Sequence, residues 1–83
     1  MSAYVKEQKV FDELNKRFVY HKPFGDQSER YGHIRSFTLE LATLLVDSCP
    51  ESRELSLALT KLEESVMWAN ASIARNEEEK AGE

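Results

Sequence analysis

The stretch that decides the fold is Ser52–Arg75, "SRELSLALTKLEESVMWANASIAR". Leu55, Leu59, Leu62, Val66, Ala69 and Ile73 recur at steps of three and four over nearly three heptads, the rhythm of one helix face. The stretch is entered through "SCPE" (48–51), where Pro50 cannot continue a helical hydrogen-bond ladder and Ser48 or Ser52 can cap the next helix. Upstream, "QSERYGHIRSFTLELATLLVD" (27–47) places Tyr31, Ile34, Phe37 or Thr38, Leu41, and Leu44 or Leu45 on a second such face. Two long helices joined by about four residues must run antiparallel. The expected fold is therefore all-α, a helical hairpin.

Working outward, Val10 and Leu14, with Val5, Phe11 and Phe18 about them, suit a short amphipathic helix over residues 5–17 that is marginal in isolation. "FVYHKPFGDQ" (18–27) contains Pro23 and Gly25 and reads as a loop over 18–26. The hairpin helices are expected over 27–48 and 52–76, and the tail "NEEEKAGE" is expected to fray, with residues 77–83 an acidic extension. All 83 residues then make one domain, at a size where burial on folding reaches only about 60 to 65 per cent of the unfolded surface. Leu57, Ala58, Met67, Trp68, Ala71 and Ala74 lie off the main stripe of the last helix, a second apolar surface that asks for a partner subunit.

Charge bounds the partners. The chain has 15 acidic and 11 basic residues, but Glu77, Glu78, Glu79 and Glu83 sit in the last seven positions against Lys80 alone. Without them 11 acids face 10 bases, so an anionic ligand held by a local basic cluster is allowed while long nucleic acid held by bulk charge is disfavoured. Cys49 is the single cysteine, which removes internal disulfides and thiolate metal sites. "MSAYVKEQKVF" (1–11) has no apolar signal region and no segment reaches the roughly 18 apolar residues of a membrane span. The reading is a cytosolic protein without membrane partners.

Enzyme chemistry finds little footing. His21 and His33 are the only histidines, twelve residues apart, with no ligand at metal spacing. No nucleophile signature surrounds a serine, and Glu63 and Glu64 are adjacent and point to different sides of a helix. Gly25, Gly32 and Gly82 build no phosphate loop. The expectation is no catalysis, no metal and no cofactor.

Binding chemistry is better represented. "RFVYHKPF" (17–24) interleaves Arg17 and Lys22 with Phe18, Tyr20, His21 and Phe24, the combination that stacks on a base while meeting phosphate. The plain alternative is a hydrophobic loop pinned over the hairpin, which weighs most for Phe18 and Phe24. Tyr20 and His21 have polar ends and suit a ligand better. In "ERYGHIR" (29–35), Arg35 follows Tyr31 by four residues, so a ring and a guanidinium share one side of a helix. Spacing alone favours an ion pair of Arg35 with Glu40 or Glu54. Gly32 within that helix costs about 1 kcal/mol against alanine, which close approach of another chain or simple tolerance would explain. In the last helix, Trp68 anchors a patch of alanines suited to close contact, and Arg75 could merely complement the helix dipole.

Taken together, "YHKPFGDQSERYGHIR" (20–35) and "CPESRELSLALTKLEESVMWANASIAR" (49–75) resemble the small bacteriophage anti-CBASS cyclic-nucleotide sponges, related to the Thoeris anti-defence sponges. The similarity runs from about Phe18 to Arg75; Met1 to Arg17 carries no matching motif. The resemblance implies a short helix plus hairpin assembled as a homohexamer that sequesters cyclic di- and trinucleotides, such as cyclic GMP-AMP, in the cytoplasm of an infected bacterium without cleaving them. It implies sites between protomers: Tyr20 for stacking on a base, Arg35 for phosphate, and Arg75 with nearby groups for a second pocket, with His21 and Tyr31 as further ligand-binding residues. The competing readings are a helical hairpin that binds another protein and no small molecule, and, more weakly, a helical nucleic-acid binder.

Overall fold

The structure, a computed structural model, describes residues 7–78. Three helices succeed one another: α1 Gln8–Phe18, α2 Gln27–Ser48 and α3 Arg53–Asn76, and no strand occurs among the described residues. Val5, Tyr4 and the end of the acidic tail lie outside the described residues.

α2 and α3, 22 and 24 residues long, pack on one another as a hairpin. The turn is set by local chemistry. α2 ends at Ser48, with the Cys49 N–H still donating to the Leu45 carbonyl, and Pro50 lies just beyond. The Ser52 hydroxyl then accepts the Leu55 N–H at 3.1 Å and donates to the Pro50 carbonyl at 3.0 Å, so the cap both starts α3 and holds the turn. α1 makes only marginal contact with the hairpin.

The inward stripe of α3 is Leu55, Leu59, Leu62, Val66, Ala69 and Ile73, each half-buried. On α2 the inward positions are Tyr31, Ile34, Thr38, Ala42 and Leu45, while Phe37, Leu41 and Leu44 face outward. The expectation of Leu41 on the packing face is thus corrected. Ala42 takes that place, the smaller side chain facing the partner helix. Thr38 enters the interface by donating its hydroxyl to the Ile34 carbonyl at 2.6 Å.

No apolar residue is fully buried among the described residues. The described residues measure 57 × 39 × 13 Å, about one layer of helices deep, with a radius of gyration of 18.1 Å. A compact domain of this length would have a radius of gyration of about 12 Å. Phe37 is 69% exposed, Met67 64% and Trp68 62%. These large apolar side chains stay uncovered in the single chain.

Among the described residues the one buried side chain is Gln27, at 2% exposure. Its carbonyl accepts the Phe24 N–H at 3.1 Å and its amide nitrogen donates to Glu77 at 3.1 Å. Arg30 completes this closure with a two-pronged pair to Glu77, at 2.7 and 2.6 Å, and a bond to Asp26 at 3.0 Å. The Arg30 guanidinium and the Gln27 amide hold the Glu77 carboxyl down at about 2, and Glu77 in turn raises Arg30. Glu77, grouped on sequence with the fraying tail, therefore closes the open end of the hairpin, where α2 begins and α3 ends. Gly25, with φ +55°, supplies the left-handed turn that delivers the chain into α2. A Cβ added at Gly32 meets nothing within 4 Å, so packing within one chain does not require glycine there.

Candidate functional site

The same end of the hairpin carries a groove of about 400 Å³. α2 contributes Tyr31 and Arg35, one turn apart as their spacing requires. α3 contributes Asn70, Ala71, Ala74 and Arg75; the two alanines lower its wall and leave the width of the groove open. The last turn of α1 and the loop add Lys16, Arg17 and His21.

The loop is held against α1 by His21, whose Nε2–H donates to the Lys16 carbonyl at 2.8 Å. That bond satisfies one of the free carbonyls at the end of α1 and places the imidazole at the mouth of the groove. Arg17 is paired with Glu13 at 2.9 Å. Arg35 makes no ion pair among the described residues, with Glu40 or Glu54 or any other acid, and neither does Arg75. Among the described residues no carboxylate lines the groove. Cationic side chains from three elements, Lys16, Arg17, Arg35 and Arg75, thus face one cavity, an arrangement whose field favours an anion.

One further polar group is unusual. The Asn70 side-chain oxygen is sealed from solvent and has no hydrogen-bond partner among the described residues. An amide oxygen left this way costs about 1–3 kcal/mol.

Of the residues singled out on sequence, His21, Tyr31, Arg35 and Arg75 meet in this groove. Tyr20 does not line it and is 81% exposed, next to Phe18 at 77%. Phe24 is half-buried beside Gln27, so the pinned-loop alternative describes Phe24 and not Phe18. Lys16 and the contribution of Asn70 were not foreseen. For Lys16 a signal existed, since Lys16-Arg17 falls in the last turn of a short amphipathic helix just before the aromatic loop. Among the described residues no group of three metal-ligating side chains occurs, and no helix is long and apolar enough to cross a membrane.

The described residues thus form a thin helical hairpin with a groove lined by cationic side chains and by no described carboxylate, and with an uncovered apolar face. A family model described as Acb2/Tad1, hairpin domain, matches residues 12–74, about three-quarters of the chain, and the protein belongs to that family of sponge-type anti-CBASS and anti-Thoeris proteins. Neither the curated proteins nor the solved structures yield a match to the chain. Membership carries a general role, phage anti-defence by capture of cyclic-nucleotide signals.

Proposed function

We propose that this protein binds cyclic di- or trinucleotide immune messengers of the CBASS type in the groove between α2, α3 and the α1 loop, and releases them unchanged. The observation that carries the reading is the pair Arg35 and Arg75, brought from different helices to one cavity beside Tyr31, with no described acid lining it. A cyclic oligonucleotide presents phosphates at the spacing of a small ring and bases with π-faces. A guanidinium bond to phosphate contributes about 1.5–3 kcal/mol, and stacking on an aromatic ring about 1–3 kcal/mol per base. Two or three such contacts in a pre-formed groove reach sub-micromolar affinity once association costs of several kcal/mol are met. Nothing in this mechanism needs a bond to break, because holding the messenger away from its receptor is the effect.

The assembly belongs to the same reading. A chain whose described residues include no buried apolar side chain, and which leaves Trp68, Met67 and Phe37 uncovered, gains a core by joining copies of itself. A homohexamer is the assembly the family resemblance implies. Tyr20, on the outer side of the loop, would then stack on a base held between protomers. The site of action would be the cytoplasm of the infected bacterium, where the messenger is made.

The test is native mass spectrometry of the protein with a panel of cyclic di- and trinucleotides and glycocyclic ADP-ribose, then denaturation and analysis of the molecules released. Intact ligand in a fixed ratio to an oligomer supports the reading, and hydrolysed ligand or none refutes it. A second reading, a hairpin that docks another protein's helix, draws on the mostly apolar groove lined by Thr38, Leu39, Ala42, Val66 and Met67, with Arg35 and Glu63 also lining it. It takes precedence if the protein stays monomeric at micromolar concentration and binds no cyclic nucleotide.

A further inference from the structure

Resting on the reading above, we infer that Glu77 is a positioning residue for the groove: its carboxylate, gripped by Arg30 and Gln27, holds Arg75 in place for a ligand phosphate without itself lining the cavity. Arg75 stands in the last turn of α3, where a helix leaves its final carbonyls unpaired and opens most readily. Asn76 ties that turn only to its own helix, donating its amide to the Ser72 carbonyl at 3.0 Å. Among the described residues, the bonds from Arg30 and Gln27 to Glu77 are the side-chain hydrogen bonds that fasten this end of α3 to another element.

The fastening reaches each wall of the groove. Arg30 precedes Tyr31 on α2 and Glu77 follows Arg75 by two residues, so the ion pair spans the hairpin beside two of the side chains that line the cavity. Asp26 holds the third nitrogen of the Arg30 fork at 3.0 Å, leaving the other two for Glu77. Gln27 carries the tie into the loop: its side chain accepts the Phe24 N–H, and its own backbone N–H donates to the Phe24 carbonyl at 3.0 Å. From Phe24 the chain runs back three residues to His21, which also lines the groove. One carboxylate thus joins α2, α3 and the loop.

Charge alone does not account for an acid at this place. A carboxylate at the C-terminal end of a helix opposes the helix dipole, and one beside a cationic groove lowers the field that draws an anion. Ordering the groove wall offsets both effects, because a two-pronged carboxylate–guanidinium pair fixes direction as well as distance. Sign separates positioning from a field effect. If only charge counts, removing Glu77 tightens anion binding and removing Arg30 loosens it; loss of the clamp weakens binding in both cases.

The experiment is isothermal titration with the panel of cyclic di- and trinucleotides, cyclic GMP-AMP among them, at neutral pH and well below each thermal midpoint. It uses wild type, Glu77→Gln and Arg30→Gln, each alone and combined with Arg75→Ala. Both single variants are expected to lose affinity by about fivefold or more, the low end of coupling between linked sites. In the Arg75→Ala background the loss is expected to vanish, since no guanidinium is left there to position. Ser52→Ala, which weakens the opposite end of the hairpin, is expected to bind like wild type. Tighter or unchanged binding by either variant, an equal loss in Ser52→Ala, or a loss that persists in full without Arg75 overturns the assignment and leaves ligand capture standing. So does failure of both variants to fold or assemble in sedimentation, which would make the clamp part of the scaffold alone. Failure of wild type to bind any cyclic oligonucleotide overturns the proposed function and the assignment together.

Discussion

Replacing Trp68 by alanine tests whether the uncovered face of the hairpin is an interface. Trp68 lies on α3, off the stripe that meets α2, and 62% of it is exposed. For a side chain of about 250 Å² that is roughly 150 Å² of mostly apolar surface, and at about 25 cal/mol per Å² its complete burial would contribute about 4 kcal/mol. Half coverage would contribute about 2 kcal/mol. Loss of the ring should therefore weaken self-association by about 30- to 700-fold per interface that uses it. The stripe of α3 is untouched, so helix content per chain at high concentration should persist. Sedimentation velocity over a hundredfold range of concentration would show wild type as an oligomer and Trp68→Ala shifted toward monomer. An unchanged distribution, or a wild type that is monomeric at tens of micromolar, would refute the assignment of this face to assembly.

Other outcomes concern the site and its supports. Arg35→Ala and Arg75→Ala should each raise the Kd for a cyclic dinucleotide or trinucleotide by about 10- to 150-fold, the loss of one charge-assisted contact, while Lys9→Ala, away from the groove, should leave it unchanged in the same titration. Because Glu77 is held at about 2, below its ordinary 4.5, the clamp contributes fully above pH 4.5 and is lost as the pH falls toward 2. Glu77→Gln should therefore lower the thermal midpoint at neutral pH and flatten the loss of stability on acidification, as read by circular dichroism. Ser52→Ala removes the cap that accepts the Leu55 N–H and should cost about 1 kcal/mol, measured by urea denaturation at fixed protein concentration.

The parts of the fold that were legible in the sequence were those written in local chemistry. Pro50 and Ser52 mark the turn within a few residues, and the stripe from Leu55 to Ile73 needs only the helical period. The facing stripe was less clear because α2 carries apolar residues on more than one side; Phe37 or Thr38, and Leu44 or Leu45, satisfy the period equally. Only the contact with α3 selects Thr38 and Leu45. Arg35 shows the same limit at the site. Spacing favoured an acid partner on either helix, yet the side chain lies beside the groove with none among the described residues. The Arg30–Glu77 pair joins residues 47 positions apart, and no pattern within a helix announces it. Tyr20 and His21 are adjacent in the sequence, but the bond from His21 to Lys16 turns one toward the groove and leaves the other on the outer surface.

The lack of any fully buried apolar side chain among the described residues has a consequence for dose. A chain that completes its core only by joining copies of itself has a folded fraction that climbs with its own concentration. Ligand capacity would then rise more steeply than protein amount: scarce copies early in synthesis would hold little messenger, and once copies accumulate past the assembly point the pool of binding sites would appear almost at once. If copies join through this face, the threshold of such a trap would be set by Trp68 and its neighbours rather than by the groove, and affinity for the signal and the onset of capture would be tuned by separate residues.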